Sequence, residues 1–110
     1  KNMREWLYGD DNCSAIQLLM EKGSIGETYN IGSGYELANL EMVERIGSVL
    51  DKKPEIAFMK DRAGHDFRYS VDCKKLSALG WKLQYSFDEG IKKCVQWYLD
   101  NDWYLANHNA

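Results

Sequence analysis

Lys60-Asp61-Arg62-Ala63-Gly64-His65-Asp66-Phe67-Arg68-Tyr69 gathers two guanidiniums, an imidazole, a phenol and two aspartates around one glycine. Just before it, Pro54 introduces Glu55-Ile56-Ala57-Phe58-Met59, an apolar run bounded as a buried strand is bounded. The charged decade therefore reads as a loop hung from a strand end, a place where binding groups are commonly carried. Arginine offers a planar fork of donors that fits phosphate or carboxylate, so the stretch reads as an anion clamp. The competing reading is that Asp61, Arg62, Asp66 and Arg68 only pair with one another on a solvated loop.

Working outward, helices alternate with short extended segments, which makes the chain α/β. Glu5-Trp6-Leu7-Tyr8 reads as a strand. After it, Asp10 and Asp11 supply an N-cap and first-turn negative charge to a helix whose apolar side is Ala15, Ile16, Leu18 and Leu19, closed by Lys22 and Gly23. Thr28-Tyr29-Asn30-Ile31 reads as a second strand. The turn Gly32-Ser33-Gly34 then lets backbone come close to another group. Asn39 is placed to cap a helix with Leu40, Val43, Ile46, Gly47 and Leu50 inward, ended by Pro54.

Beyond the clamp, Asp72 caps a short helix through Leu76 and Leu79 that stops at Gly80. Ser86-Phe87-Asp88-Glu89 is a capping box, and Phe87, Ile91, Cys94, Val95, Tyr98 and Leu99 form the buried stripe of the helix it opens. Trp97, Tyr98, Trp103 and Tyr104 read either as packing residues or as anchors of a non-catalytic protein-interaction module.

At 110 residues the chain is long enough for one domain with a core, and 45% hydrophobic residues make it globular. A net charge of −3 argues against a nucleic-acid surface, so any anion site must be assembled locally. Cys13, Cys73 and Cys94 are widely spaced, which signals neither a metal cluster nor a disulfide framework and fits a cytoplasmic setting. No apolar run approaches the length of a membrane span.

The order Asp61-Arg62-x-Gly64-His65-Asp66-x-Arg68-Tyr69, with Asp72, resembles the C-terminal substrate-binding region of the dTDP-glucose 4,6-dehydratases. These belong to the extended short-chain dehydrogenase/reductase superfamily of NAD-dependent epimerases and dehydratases. Arg4-x-Trp6-x-Tyr8-x-x-Asp11, Tyr29-Asn30-Ile31-Gly32, Leu79-Gly80-Trp81-Lys82, Phe87-x-x-Gly90-Ile91 and Trp97-Tyr98 resemble further motifs of the same family, so the likeness runs from Arg4 to Trp103. Four positions depart from the pattern. Ala63 stands for a proline, Gly9 for an aliphatic residue, Asn12 for a histidine and Leu83 for a proline.

The resemblance implies a small substrate-binding domain over residues 1–110, with helices on a few short strands and the NAD-binding domain absent. It places Arg4, Asn39, Asp61, Arg62, Ala63, Gly64 and His65 on a nucleotide sugar, dTDP-glucose, and gives the intact enzyme a homodimeric state. Read alone, Arg4 is a surface arginine whose stem covers Trp6 or Tyr8, and Asn39 is first a helix cap. Asp66, Arg68, Tyr69 and Asp72 read as the frame that aims Arg62 and His65, with Arg68 paired to an aspartate.

The chain has no Gly-x-x-Gly-x-x-Gly after a strand and no Tyr-x-x-x-Lys pair. The resemblance therefore implies that NAD and all catalytic groups lie upstream of Lys1, so that this portion alone neither binds NAD nor turns over. A related nucleotide-sugar epimerase or UDP-glucuronate decarboxylase shares several of the same motifs.

Overall fold

The computed structural model describes residues 2–61 and 63–108. Its elements are β1 (Met3–Glu5), α1 (Gly9–Lys22), β2 (Glu36–Ala38), α2 (Asn39–Leu50), β3 (Arg68–Tyr69), α3 (Lys74–Ala78), α4 (Phe87–Asp100) and α5 (Asp102–His108). The strands form one mixed sheet in the order β2-β1-β3. β1 is antiparallel to β2, with Arg4 opposite Leu37 and Glu5 opposite Glu36. It is parallel to β3, with Met3 beside Arg68 and Arg4 beside Tyr69. Because side chains alternate across a strand, Arg4, Leu37 and Tyr69 share one face, and Glu5, Glu36 and Arg68 share the other.

The core gathers where α1 meets the segment after β3. Ala15, Leu76 and Trp81 are buried, and Leu7, Leu18, Leu19 and Ile31 pack against them. A polar staple fixes the docking. The Trp81 indole N–H donates to Ser14 Oγ at 3.1 Å, the Ser14 hydroxyl donates to the Asp11 carbonyl at 2.8 Å, and the Gln84 N–H donates to Asp11 Oδ1 at 2.8 Å.

Helix α4 starts at the expected capping box: the Glu89 N–H donates to Ser86 Oγ at 3.2 Å and the Ser86 N–H to Glu89 Oε1 at 3.1 Å. Hydrogen bonding to Ser86, chiefly from its backbone, holds the Glu89 carboxyl below its ordinary range. Its stripe from Phe87 to Leu99 faces an apolar groove against α2 but is not buried as expected: Cys94, Tyr98 and Leu99 are exposed, because the groove they line is open.

Several expectations are corrected. The first strand is shifted to Met3–Glu5, although Trp6 still donates its N–H to the Tyr35 carbonyl at 2.9 Å. Tyr8, not an aspartate, occupies the N-cap of α1, and Asp10 and Asp11 lie inside its first turn. Asn39 is the first residue of α2, not its cap; the cap position is Ala38, whose N–H donates to Glu41 Oε1 at 3.2 Å. That helix ends at Asp51, in the left-handed region with φ 54°, before Pro54 is reached. From α2 the groove is lined by Met42, Ile46 and Leu50, so Met42 belongs to the inward side that the spacing assigned to Val43.

Thr28–Ile31 and Glu55–Met59 are not strands. Phe58 is 81% and Met59 91% exposed. Strand propensity needs a neighbouring strand to become a ladder, and no described residues pair with either run.

Candidate functional site

The sheet assembles the clamp from the start and the middle of the chain. Met3 donates its N–H to the Phe67 carbonyl at 2.7 Å, which lays the loop after Asp61 along β1. The Arg4 guanidinium binds that loop together. Its Nη1 donates to the carbonyls of Met3 at 2.6 Å and Phe67 at 3.3 Å, and its Nη2 donates to the Asp66 carbonyl at 3.2 Å and to His65 Nε2. The Tyr69 ring lies under the same guanidinium, 4.4 Å from centroid to Cζ, a cation–π contact. Arg4 is thus a hub for the loop and not a lone surface cation over Trp6 or Tyr8.

A guanidinium only donates, so its contact with His65 requires the Nε2 lone pair and assigns the proton to Nδ1. That nitrogen faces Asp61, with Nδ1 and Oδ1 3.9 Å apart. The His65 side chain is only 16% exposed. Asp61 also accepts from the Asn2 amide at 3.0 Å, and the Asn2 carbonyl accepts from the Asn39 N–H at 3.0 Å. Gly64 provides the turn with φ +75°, a conformation that a side chain rarely adopts, and Ala63 is exposed beside it. Arg4, Asp61 and His65 are therefore brought together, and Asn39 joins them through its backbone and Asn2. Arg62 lies outside the described residues.

One frame residue is paired differently from expectation. Arg68 bonds Glu36, not an aspartate, with Nε to Oε1 at 2.5 Å and Nη2 to Oε2 at 2.6 Å. Sheet geometry is the reason, since both residues project from the same face on either side of β1. The hydrogen bond from Arg68 lowers the Glu36 carboxyl and raises the guanidinium. Asp72 instead accepts from the Lys74 N–H at 2.9 Å at the start of α3.

Glu5, which the sequence did not single out, organises the opposite face. Its carboxylate accepts from the Gly34 N–H at 2.6 Å and the Val71 N–H at 3.1 Å. This is the group to which the Gly32-Ser33-Gly34 turn comes close. Its signal lay in the glycine pair, which announced a close approach without saying to what.

Arg4, Asn39, Asp61, Ala63, Gly64 and His65 line neither the groove between α2 and α4 nor the smaller hollow of about 420 Å³, which Arg68 borders with Asp72.

Comparison with known proteins now decides the family. The model for GDP-mannose 4,6 dehydratase matches residues 1–94. The chain belongs to the GDP-mannose 4,6-dehydratase family.

Within reach of this family lie proteins of more specific description. The low-salt glycan biosynthesis protein Agl12 of Haloferax volcanii is 50% identical over 102 residues, covering 92% of this chain and 33% of Agl12. A probable dTDP-glucose 4,6-dehydratase of Sinorhizobium fredii is 47% identical over 112 residues, covering 94% of this chain and 32% of that protein. The crystal structure of dTDP-glucose 4,6-dehydratase from Streptomyces venezuelae with NAD and TYD bound is similar with TM-score 0.82 and 39% identity, over 94% of this chain and 33% of the other. The chain spans about a third of the length of the curated relatives it matches.

These residues do not fit a dinucleotide. Among the described residues, the junction from β1 to α1 is the one strand-to-helix turn with a glycine at the helix start, and Asp10 and Asp11 fill its first turn with negative charge. A pyrophosphate would meet carboxylates there instead of open amides. Among the described residues no group of acidic, His and Cys side chains could hold a metal ion, and no helix is long and apolar enough to cross a membrane.

Proposed function

We propose that residues 1–110 are the C-terminal nucleotide-sugar-binding domain of a dTDP-glucose 4,6-dehydratase, with dTDP-glucose as substrate. The observation that carries this reading is the junction of Arg4 with the Gly64-His65 turn at one sheet edge, in a chain 39% identical to the Streptomyces venezuelae dehydratase with NAD and TYD bound.

In this reading Arg4 and Arg62 hold the diphosphate, and the amides of Asp61, Ala63 and Gly64 approach it. In the same reading Asn39, the first residue of α2, touches the nucleotide sugar. His65, with Nε2 taken by Arg4, donates from Nδ1 to a phosphate or sugar oxygen. The remaining wall of the site comes from polypeptide outside these residues, which also carries NAD and the reacting groups. Oxidation at sugar C4, loss of water across C5 and C6, and reduction at C6 therefore take place beside this portion and not by means of it. We place the full enzyme in the cytoplasm as a homodimer, in keeping with three unpaired thiols.

Calorimetric titration of the complete enzyme with dTDP tests the reading. Arg4→Ala and Arg62→Ala should each weaken binding by about 1.5–3 kcal/mol. Affinities within error of the unaltered enzyme for both variants would overturn it.

A further inference from the structure

Between α2 and α4 lies a groove of about 870 Å³, lined from α2 by Met42, Ile46 and Leu50 and from α4 by Phe87, Ile91 and Val95. An open groove of this size leaves the apolar faces of two amphipathic helices against water, a larger contiguous apolar surface than a finished protein surface usually shows. Its apolar surface also spills outward. Leu83, Leu99 and Leu105 line its rim and are 42%, 59% and 55% exposed.

One lining residue is polar and out of sight of solvent. Asp11 is 1% exposed, and its Oδ2 has no hydrogen-bond partner among the described residues while Oδ1 is held by Gln84. A buried carboxylate oxygen without a donor is costly.

We infer that this groove is filled by an apolar segment of the longer polypeptide, from outside Lys1–Ala110, which also delivers one hydrogen-bond donor to Asp11 Oδ2. The inference rests on the reading of the chain as one portion of a longer enzyme, about three times its length by the share of each relative it covers. A small ligand could fill the hollow but would leave the leucine rim wet. A polypeptide segment covers both, and two-thirds of each relative is available to supply it.

Two measurements on the complete enzyme test this. A benzophenone amino acid at Ile91, photolysed in the native protein, should form an intrachain cross-link to a residue outside Lys1–Ala110, read by peptide mass spectrometry. Cross-links within 1–110, a link between subunits, an adduct with a co-purified small molecule, or no adduct would each overturn the inference. Asp11→Asn reads the donor. If a segment donates to Oδ2, the new amide N–H opposes it and the melting temperature falls by several degrees. If the oxygen is merely unpartnered, removing a buried charge leaves the melting temperature unchanged or raises it, and the donor is refuted. Binding of dTDP to the same preparations keeps the two readings apart. An enzyme that binds dTDP but fails the cross-link loses the inference alone, whereas one that does not bind dTDP loses the functional reading.

Discussion

Arg68 on β3 reaches past β1 to grip Glu36 on β2 with two parallel hydrogen bonds of 2.5 and 2.6 Å. The pair ties together the outer strands of a sheet whose strands are two or three residues long. Glu36 has its folded-state pKa lowered, first by this hydrogen bond. A depressed carboxyl contributes stability that is present above the unfolded value, about 4.3 for glutamate, and is lost as pH falls through the folded value. Thermal melts of the complete enzyme and of Glu36→Gln should therefore differ most near neutral pH and converge on acidification. A constant difference across that range would show that the charge of Glu36 is immaterial. Salt should narrow the gap, because the pair is open to solvent.

Arg4→Lys keeps the charge and removes the fork. A lysine ammonium cannot reach three carbonyls and an imidazole from one planar group. The expected result is a fall in dTDP affinity of about tenfold to a hundredfold, with faster amide exchange at residues 66–69 and unchanged exchange in α4. Unaltered exchange at 66–69 would refute the role of Arg4 as the loop's hub.

At Gly32 a Cβ would stand 2.8 Å from the Glu5 carboxylate and 2.8 Å from Val71 Cγ2. Gly32→Ala should destabilise the protein by about 1–3 kcal/mol in urea titrations, the usual cost of overpacking a closed site. A neutral effect would mean that Glu5 can swing aside without losing Gly34 and Val71.

Ser86→Ala removes the side-chain acceptor for the Glu89 N–H, and a loss of about 0.5–2 kcal/mol is expected in the same titrations. Ser86→Asp should restore most of it, since aspartate caps as well as serine. Failure of the aspartate rescue would assign the loss to something other than the cap.

Local chemistry was legible in the sequence. Ser86 and Glu89 lie three positions apart, so the box that opens α4 depends on nothing distant, and the stripe from Phe87 to Leu99 follows from the helical period. Propensity misled where a partner was needed, as at Ile56-Ala57-Phe58, which has the residues of a strand and no described neighbour to pair with.

At the site, the residue types pointed to Arg4, Asp61 and His65 through family resemblance, but the bond between Arg4 and His65 spans 61 positions and leaves no local trace. The choice of Glu36 over an aspartate for Arg68 was likewise invisible, because strand register and not sequence distance decides which carboxylate is within reach. Asp11 read as a helix-start residue. Nothing in its local sequence could show that the backbone of Gln84 would bond its carboxylate from 73 positions away.

The separation of β1 from β3 along the chain also orders events in time. Closing so long a loop carries an entropic penalty that only late, non-local contacts repay. The intervening helices can form before Arg4 finds its loop. On the proposed reading, an immature molecule would have no anion site with which to sequester a nucleotide sugar until that late contact had formed.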